Sequence, residues 1–247
     1  MRRVRLYRVS SVVIRQRDLG EADRILVLYT RQRGKLSAVA KGVKRPRSRL
    51  AGGLQLFSHA RVQLAAGRSL EVVTQVQPLA AFYHLREDMQ RYIHASYAAE
   101  FLDAVTDDGA PDDVLFDTLL STLDELDRGG HPPTLVRAFE LKSLARLGYG
   151  PELDVCVSCG ENPAAGEAGF SVSQGGVVCT RCLRAAGAPA LSAAALQAMR
   201  DLRRLPAREL ARRRLSAAAG QEVERHMRSF VEYHVDRRLH SAEYLAR

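Results

Sequence analysis

The chain has 247 residues, 46% hydrophobic and 26% charged, with 37 Lys+Arg against 28 Asp+Glu for a net charge of +9 and a pI of about 9.8. That length suggests two or three domains rather than one core, and the composition excludes wholesale disorder. The positive balance points to an anionic partner, but no run approaches the ~20 apolar residues that span a bilayer and the opening MRRVRLYRVS lacks the apolar centre of a secretory signal, so a soluble, cytoplasmic protein with no membrane partner is expected.

The charge is unevenly placed. Residues 1–50 hold 15 Lys+Arg and only Asp18, Glu21 and Asp23, while the rest of the chain is net negative. A genome-wide taste for arginine explains Arg over Lys but not this lopsidedness. A functional basic face near the N-terminus is the stronger reading.

Residues 4–78 have β texture. Five runs, Val4 to Ile14, Arg24 to Thr30, Leu36 to Val43, Leu56 to Leu64 and Leu70 to Val76, are separated by turn chemistry at DLGE, RQRG and AAGR. In the fourth run Leu56, Ala60, Val62 and Leu64 alternate with Phe57, His59, Arg61 and Gln63. In the fifth, Leu70, Val72 and Val76 oppose Glu71, Val73 and Gln75. Five short strands in under 80 residues fit a small β-barrel, of which the OB-fold is the nucleic-acid-binding example. Between the third and fourth strands lies KGVKRPRSRL, with five bases and no acid. Pro46 and the following Gly52-Gly53 predict that this loop projects rather than packs.

After Pro78 the period lengthens to three and four. Amphipathic helices are expected from Leu85 to Val105, from Asp112 or Asp113 as N-cap to Gly129-Gly130, and from Pro133 to Gly148. Residues 84–154 hold 15 acids and six bases, so the basic face ends before them. Helices resume from Leu191, with Ser192 as cap and Val223, Met227, Phe230, Val231 and Val235 as a core stripe.

Between the helical parts, Cys156 and Cys159 form one C-x-x-C pair and Cys179 and Cys182 another, 19 residues apart. This is the spacing of a four-cysteine zinc site, where each short turn aims two thiolates at one metal. FSVSQGGVV reads as a hairpin delivering Cys179, and Gly160 follows the first pair where a left-handed backbone is cheap. Leu183, after the second pair, departs from that pattern. A reducing cytoplasm disfavours disulfides, and four thiolates leave no open coordination position, so one structural Zn2+ per chain is expected.

Nothing argues for catalysis. No H-E-x-x-H, P-loop, G-x-S-x-G or Rossmann glycine pattern occurs. His226 and His234 read as core or surface residues of one helix, and Asp107, Asp108, Asp112 and Asp113 as a solvated helix start.

GEADRILVLYTRQRGKLSAVAKGVKRPRSRLAGGLQLF, LARLGYGPELDVCVSCG and the C-terminal RRLHSAEYL closely resemble the bacterial recombination mediator family RecO, and the resemblance runs nearly end to end. It implies an α+β chain: an N-terminal five-stranded OB-fold DNA-binding domain (1–80), a helical domain in two parts (81–154 and 184–247) and an inserted four-cysteine zinc-binding ribbon (155–183). It also implies binding of single- and double-stranded DNA, annealing of complementary strands, work with RecR and the C-terminal tail of the single-strand-binding protein SSB, and functional links to RecA and RecF. Lys35, Lys41, Lys44, Arg45, Arg47 and Arg49 are the candidate phosphate contacts, with Arg2 and Arg3 secondary. Phe57 and Tyr29 are candidate platforms for stacking an unpaired base. A zinc-ribbon transcription or ribosome-associated factor and a metal-dependent nuclease are the competing readings.

Overall fold

The computed structural model describes residues 5–67, 69–163, 168–235 and 238–245. Packing divides the chain into two compact units, 1–127 and 128–247. The division expected at 80, 154 and 183 follows changes of secondary structure instead.

In the first unit, β1 (Leu6–Leu19), β2 (Asp23–Thr30), β3 (Gly34–Ala40), β4 (His59–Ala65) and β5 (Glu71–Ala80) close a barrel in the order β1-β2-β3-β5-β4, the topology of an OB-fold. Every neighbouring pair is antiparallel except β3–β5. Val9, Val13, Leu26, Leu28, Ala38, Val62 and Leu64 fill the interior.

Bulges interrupt the simple alternation. In β5, Gln63 pairs with Gln75 but Leu64 pairs with Val73, leaving Thr74 as an extra residue. The side chains therefore change face, so Val73 is buried and Val76 packs on the core, correcting the expected face of Leu70, Val72 and Val76. In β1 the register shifts at Ile14. Before it Val9 and Val13 point inward; after it Gln16 and Asp18, opposite Leu26 and Arg24, take the inward side. The strand thereby runs to Leu19 rather than ending at Ile14.

The basic loop packs where projection was expected. Val43 and Leu54 are buried in the barrel core, and Leu50, Ala51 and Leu56 lie against it. The Gly42 amide donates to Asp23 Oδ1 (2.7 Å) and the Lys44 amide to the Ala22 carbonyl (3.0 Å), fixing the loop to the β1–β2 hairpin. Helices α1 (His84–Glu87), α2 (Met89–Val105) and α3 (Asp113–Asp127) complete this unit. Asp88 caps α2 through the Arg91 amide, and Asp112 Oδ1 accepts from the Leu115 amide at the start of α3 (2.9 Å). Leu115, Leu119, Leu123 and Leu126 form the buried stripe of α3.

The second unit is built on α4 (Pro132–Leu147), which starts on two prolines and ends at left-handed Gly148. A sheet of β6 (Ala168–Ser171), β7 (Gly176–Cys179) and β8 (Ala190–Leu191) follows in the order β7-β6-β8, with α5 (Thr180–Ala186) between the last two strands. Then come α6 (Ala193–Arg204), α7 (Ala207–Leu210), α8 (Ala217–His234) and α9 (Ala242–Leu245). Ser192 and Ser216 cap α6 and α8. The expected stripe of Val223, Met227, Phe230, Val231 and Val235 is buried, and Phe170 of the sheet packs on Phe230 and His226. No helix among the described residues is long and apolar enough to cross a membrane.

Candidate nucleic-acid interface and metal centre

Five of the candidate bases, Lys41, Lys44, Arg45, Arg47 and Arg49, are exposed on the anchored loop. The loop is a chain of turns: the Arg45 amide donates to the Gly42 carbonyl (3.2 Å) and the Ser48 amide to the Arg45 carbonyl (3.0 Å). Lys44 Nζ bonds Asp18 Oδ2 at 2.7 Å. Hydrogen bonds from Lys44 and then Arg24 hold the Asp18 carboxyl below its usual range. Lys41, Arg45, Arg47 and Arg49 have no acidic partner among the described residues, so their charge faces solvent. Arg2 and Arg3 lie outside the described residues.

Lys35 is a correction. It is 9% exposed, and its ammonium donates to the carbonyls of Asp103 (2.7 Å) and Thr106 (2.6 Å) and pairs with the Asp103 carboxylate (3.2 Å). A cation on the last carbonyls of α2 satisfies groups that the helix cannot bond itself and complements its dipole. Lys35 is therefore a helix cap, not a surface contact.

The stacking platforms are also corrected. Tyr29 is fully buried and stacks on Phe116 of α3, with ring centroids 6.3 Å apart. Phe57, at φ 69°, is held by its amide to the Val13 carbonyl (2.8 Å) and packs edge-on against Tyr92 of α2. Arg31 sits over the Phe116 ring and bonds Asp117. The β2–β3 face, commonly the ligand face of an OB-fold, is thus occupied at its Tyr29 and Lys35 positions by α2 and α3. Polar residues that remain on the barrel surface include Arg8, Arg17, Arg61, Gln63, Thr74, Gln75 and Gln77 of β1, β4 and β5, with Arg8 bonded to Gln63 and Arg61 to Gln77.

A second basic run escaped the sequence reading because the charge of residues 51–247 was summed. Arg204, Arg208, Arg212, Arg213 and Arg214 are all exposed in the second unit. A local charge window would have found it.

The four cysteines converge. Their sulfurs all lie within 4.8 Å of one another, Cys159 and Cys179 at 3.8 Å, and none is in a disulfide. A tetrahedral ion bonded to sulfur at about 2.3 Å holds its ligands about 3.8 Å apart, so the cluster fits a four-thiolate metal site. The first pair sits in a turn closed by the Gly160 amide on the Cys156 carbonyl (2.8 Å), with Gly160 at φ 77°. The second pair uses a different device: Cys179 ends β7 and precedes α5, placing Cys182 in the first turn of that helix. No left-handed residue is needed there, which explains Leu183. Its side chain packs with Cys156 and Val178, and a Cβ on Gly169 would come within 2.2 Å of it. Burial raises the Cys156 thiol, but the amides of Cys179, Ser158 and Cys159 outweigh it and bring it to about 6. Hydrogen bonding with the Cys179 and Cys159 side chains pushes Cys182 up to about 12. The segment leading into Cys156 is strapped to α6, where Arg200, Arg203 and Arg204 all reach Asp154 and Arg200 also bonds the Leu153 carbonyl (2.9 Å).

These features define an α+β protein with a closed five-stranded OB-type barrel, a helical region and a four-cysteine centre. Family models for the N-terminal and C-terminal parts of recombination protein O match residues 1–82 and 86–243. A DNA repair protein RecO of Symbiobacterium thermophilum is 41% identical over 97% of this chain and 96% of its own length. Proteins of the same name from Pelotomaculum thermopropionicum (38%, covering 99% of this chain and 95% of the relative) and Anaeromyxobacter sp. (37%, 96% and 95%) are similar over the same span. The chain belongs to the RecO family of DNA repair proteins.

Proposed function

We propose that the chain is a non-catalytic recombination mediator acting in the cytoplasm at the nucleoid. It binds single- and double-stranded DNA through phosphate contacts from Lys41, Lys44, Arg45, Arg47 and Arg49, and anneals complementary strands by screening their repulsion. The observation that carries this is the anchored loop, whose exposed bases are mostly without acidic partners. Phosphate attraction supplies sequence-independent affinity, which suits a protein that pairs any two complementary strands without reading them. The names of the relatives, DNA repair protein RecO, support the same process. The family resemblance adds RecR as a co-mediator, the SSB tail as a docking partner and RecA loading as the outcome, with RecF as a functional link.

The metal centre is read as one structural Zn2+ held by Cys156, Cys159, Cys179 and Cys182. Bound there, zinc supplies folding energy to a ribbon too small for a core of its own.

Strand annealing by the protein alone, followed with and without SSB, tests the mediator reading. Faster pairing of complementary but not unrelated strands is expected in both conditions. Failure to accelerate pairing at low salt, or DNA cleavage on adding a divalent metal, contradicts it.

A further inference from the structure

Among the described residues of the first unit, the aromatic side chains open to solvent sit where the barrel meets its helices. Tyr83 is 68% exposed and Tyr92 39% exposed. The chain leaves β5 through Phe82, whose backbone is left-handed at φ 45°. That conformation is costly for an aromatic residue and persists only where the surroundings impose it. Its effect is to separate two consecutive rings: Phe82 is buried and Tyr83 stands in water.

The Tyr83 ring is exposed yet held. The Arg86 guanidinium lies over one face, 5.6 Å from the ring centroid, within the range of a cation–π contact. Arg86 is itself fixed, donating to the carbonyls of Ala81 (2.7 Å) and Leu56 (3.1 Å). A ring covered on one face by an anchored cation keeps its other face for a ligand. Leu56 also ties this corner to the basic loop. Its neighbour Gln55 lines one cleft with Lys44 of the loop, so contacts run from Lys44 through Gln55 and Leu56 to Arg86 and Tyr83 within one compact unit. Tyr92 stands over the same segment, edge-on to Phe57 at 5.7 Å.

We propose that Tyr83 is a stacking platform for an unpaired base of a DNA strand whose phosphates lie on the basic loop. This rests on the reading of the chain as DNA-binding. The charges around the ring set the orientation: Glu87, Asp88 and Asp127 of this corner repel phosphates while the loop cations draw them, so the strand turns a base, not its backbone, toward Tyr83. Duplex DNA cannot use the contact, because its bases are already stacked on one another. Tyr83 thus takes the part expected of Tyr29 and Phe57, both of which are committed to the helices.

The test compares a short oligothymidylate with an abasic strand of equal length, so that phosphates are constant and only bases differ. At matched ionic strength the full chain is expected to bind the thymidine strand about tenfold more tightly, the scale of one stacked base. Tyr83→Ala, at an exposed position that the fold does not depend on, should erase that preference and leave the salt dependence unchanged, while Tyr83→Phe should keep it. Tyr83→Trp, in a chain with no tryptophan, should give fluorescence that the thymidine strand quenches and the abasic strand does not. Equal affinity of the wild type for the two strands, a preference that survives in Tyr83→Ala, or equal quenching by both strands overturns the platform while leaving DNA binding intact. Binding of neither strand at low salt overturns the DNA reading as well.

Discussion

Lys35 carries the same formal charge as Lys41, yet its surroundings give it the opposite task. Its ammonium lies among the Asp103 carboxylate and two carbonyls at the end of α2, and Asp103 is itself buried. Removing Lys35 leaves the buried Asp103 with only the more exposed Arg15 for a partner and takes the donor from the Asp103 and Thr106 carbonyls, a loss of about 3 kcal/mol. Lys35→Met should therefore lower the denaturation midpoint of the chain by a corresponding amount and leave DNA affinity of the folded fraction unchanged. Normal stability with weakened DNA binding would return Lys35 to the surface contacts. Sequence could not separate the two lysines, because the partner that captures Lys35 lies 68 residues away and no local pattern marks it. The loop bases were legible for the converse reason: five cations with no neighbouring acid have few local partners.

At the scale of elements, strand number was legible because five short apolar runs precede residue 80, separated by three turn signals and the basic loop. The bulges at Ile14 and Thr74 were not, since one inserted residue looks like ordinary strand sequence while reversing every face beyond it. The loop's anchoring was hidden in Val43, Leu50 and Leu54, apolar residues scattered among glycines and arginines. The four-cysteine ribbon was the most legible element, as two C-x-x-C pairs leave few geometries. Its second half still differed from its first, with a helix replacing a glycine turn at Cys182. If zinc organises this ribbon, metal analysis should give one zinc per chain, and Cys156→Ser should lose the metal together with the hydrogen-exchange protection of β6 and β7, leaving the barrel amides protected. A metal-free chain that keeps that protection would contradict the assignment.

Over the whole molecule, the solvent-facing charge of the first unit is smaller than the count of 15 bases suggests. Arg15, Arg24, Arg31, Lys35 and Lys44 all have acidic partners within 4 Å. Among the described bases of residues 1–50 this leaves Arg5, Arg8, Arg17 and Arg33 on the barrel and Lys41, Arg45, Arg47 and Arg49 on the loop, and the loop set gains from its anchoring: cations on a fixed backbone lose less freedom when they meet phosphates. The loop is thus proposed to grip DNA by its sugar-phosphate backbone. The direct measurement is the slope of log affinity against log salt for the wild-type chain and for a variant with Arg45, Arg47 and Arg49 each changed to Gln. With about five phosphates neutralised, the wild-type slope should lie near −3.5 on single strands and −4.5 on duplex; losing three contacts should bring the single-strand slope to about −1.4, equally for all sequences. An affinity insensitive to salt, or a variant whose slope matches the wild type, would contradict the claim.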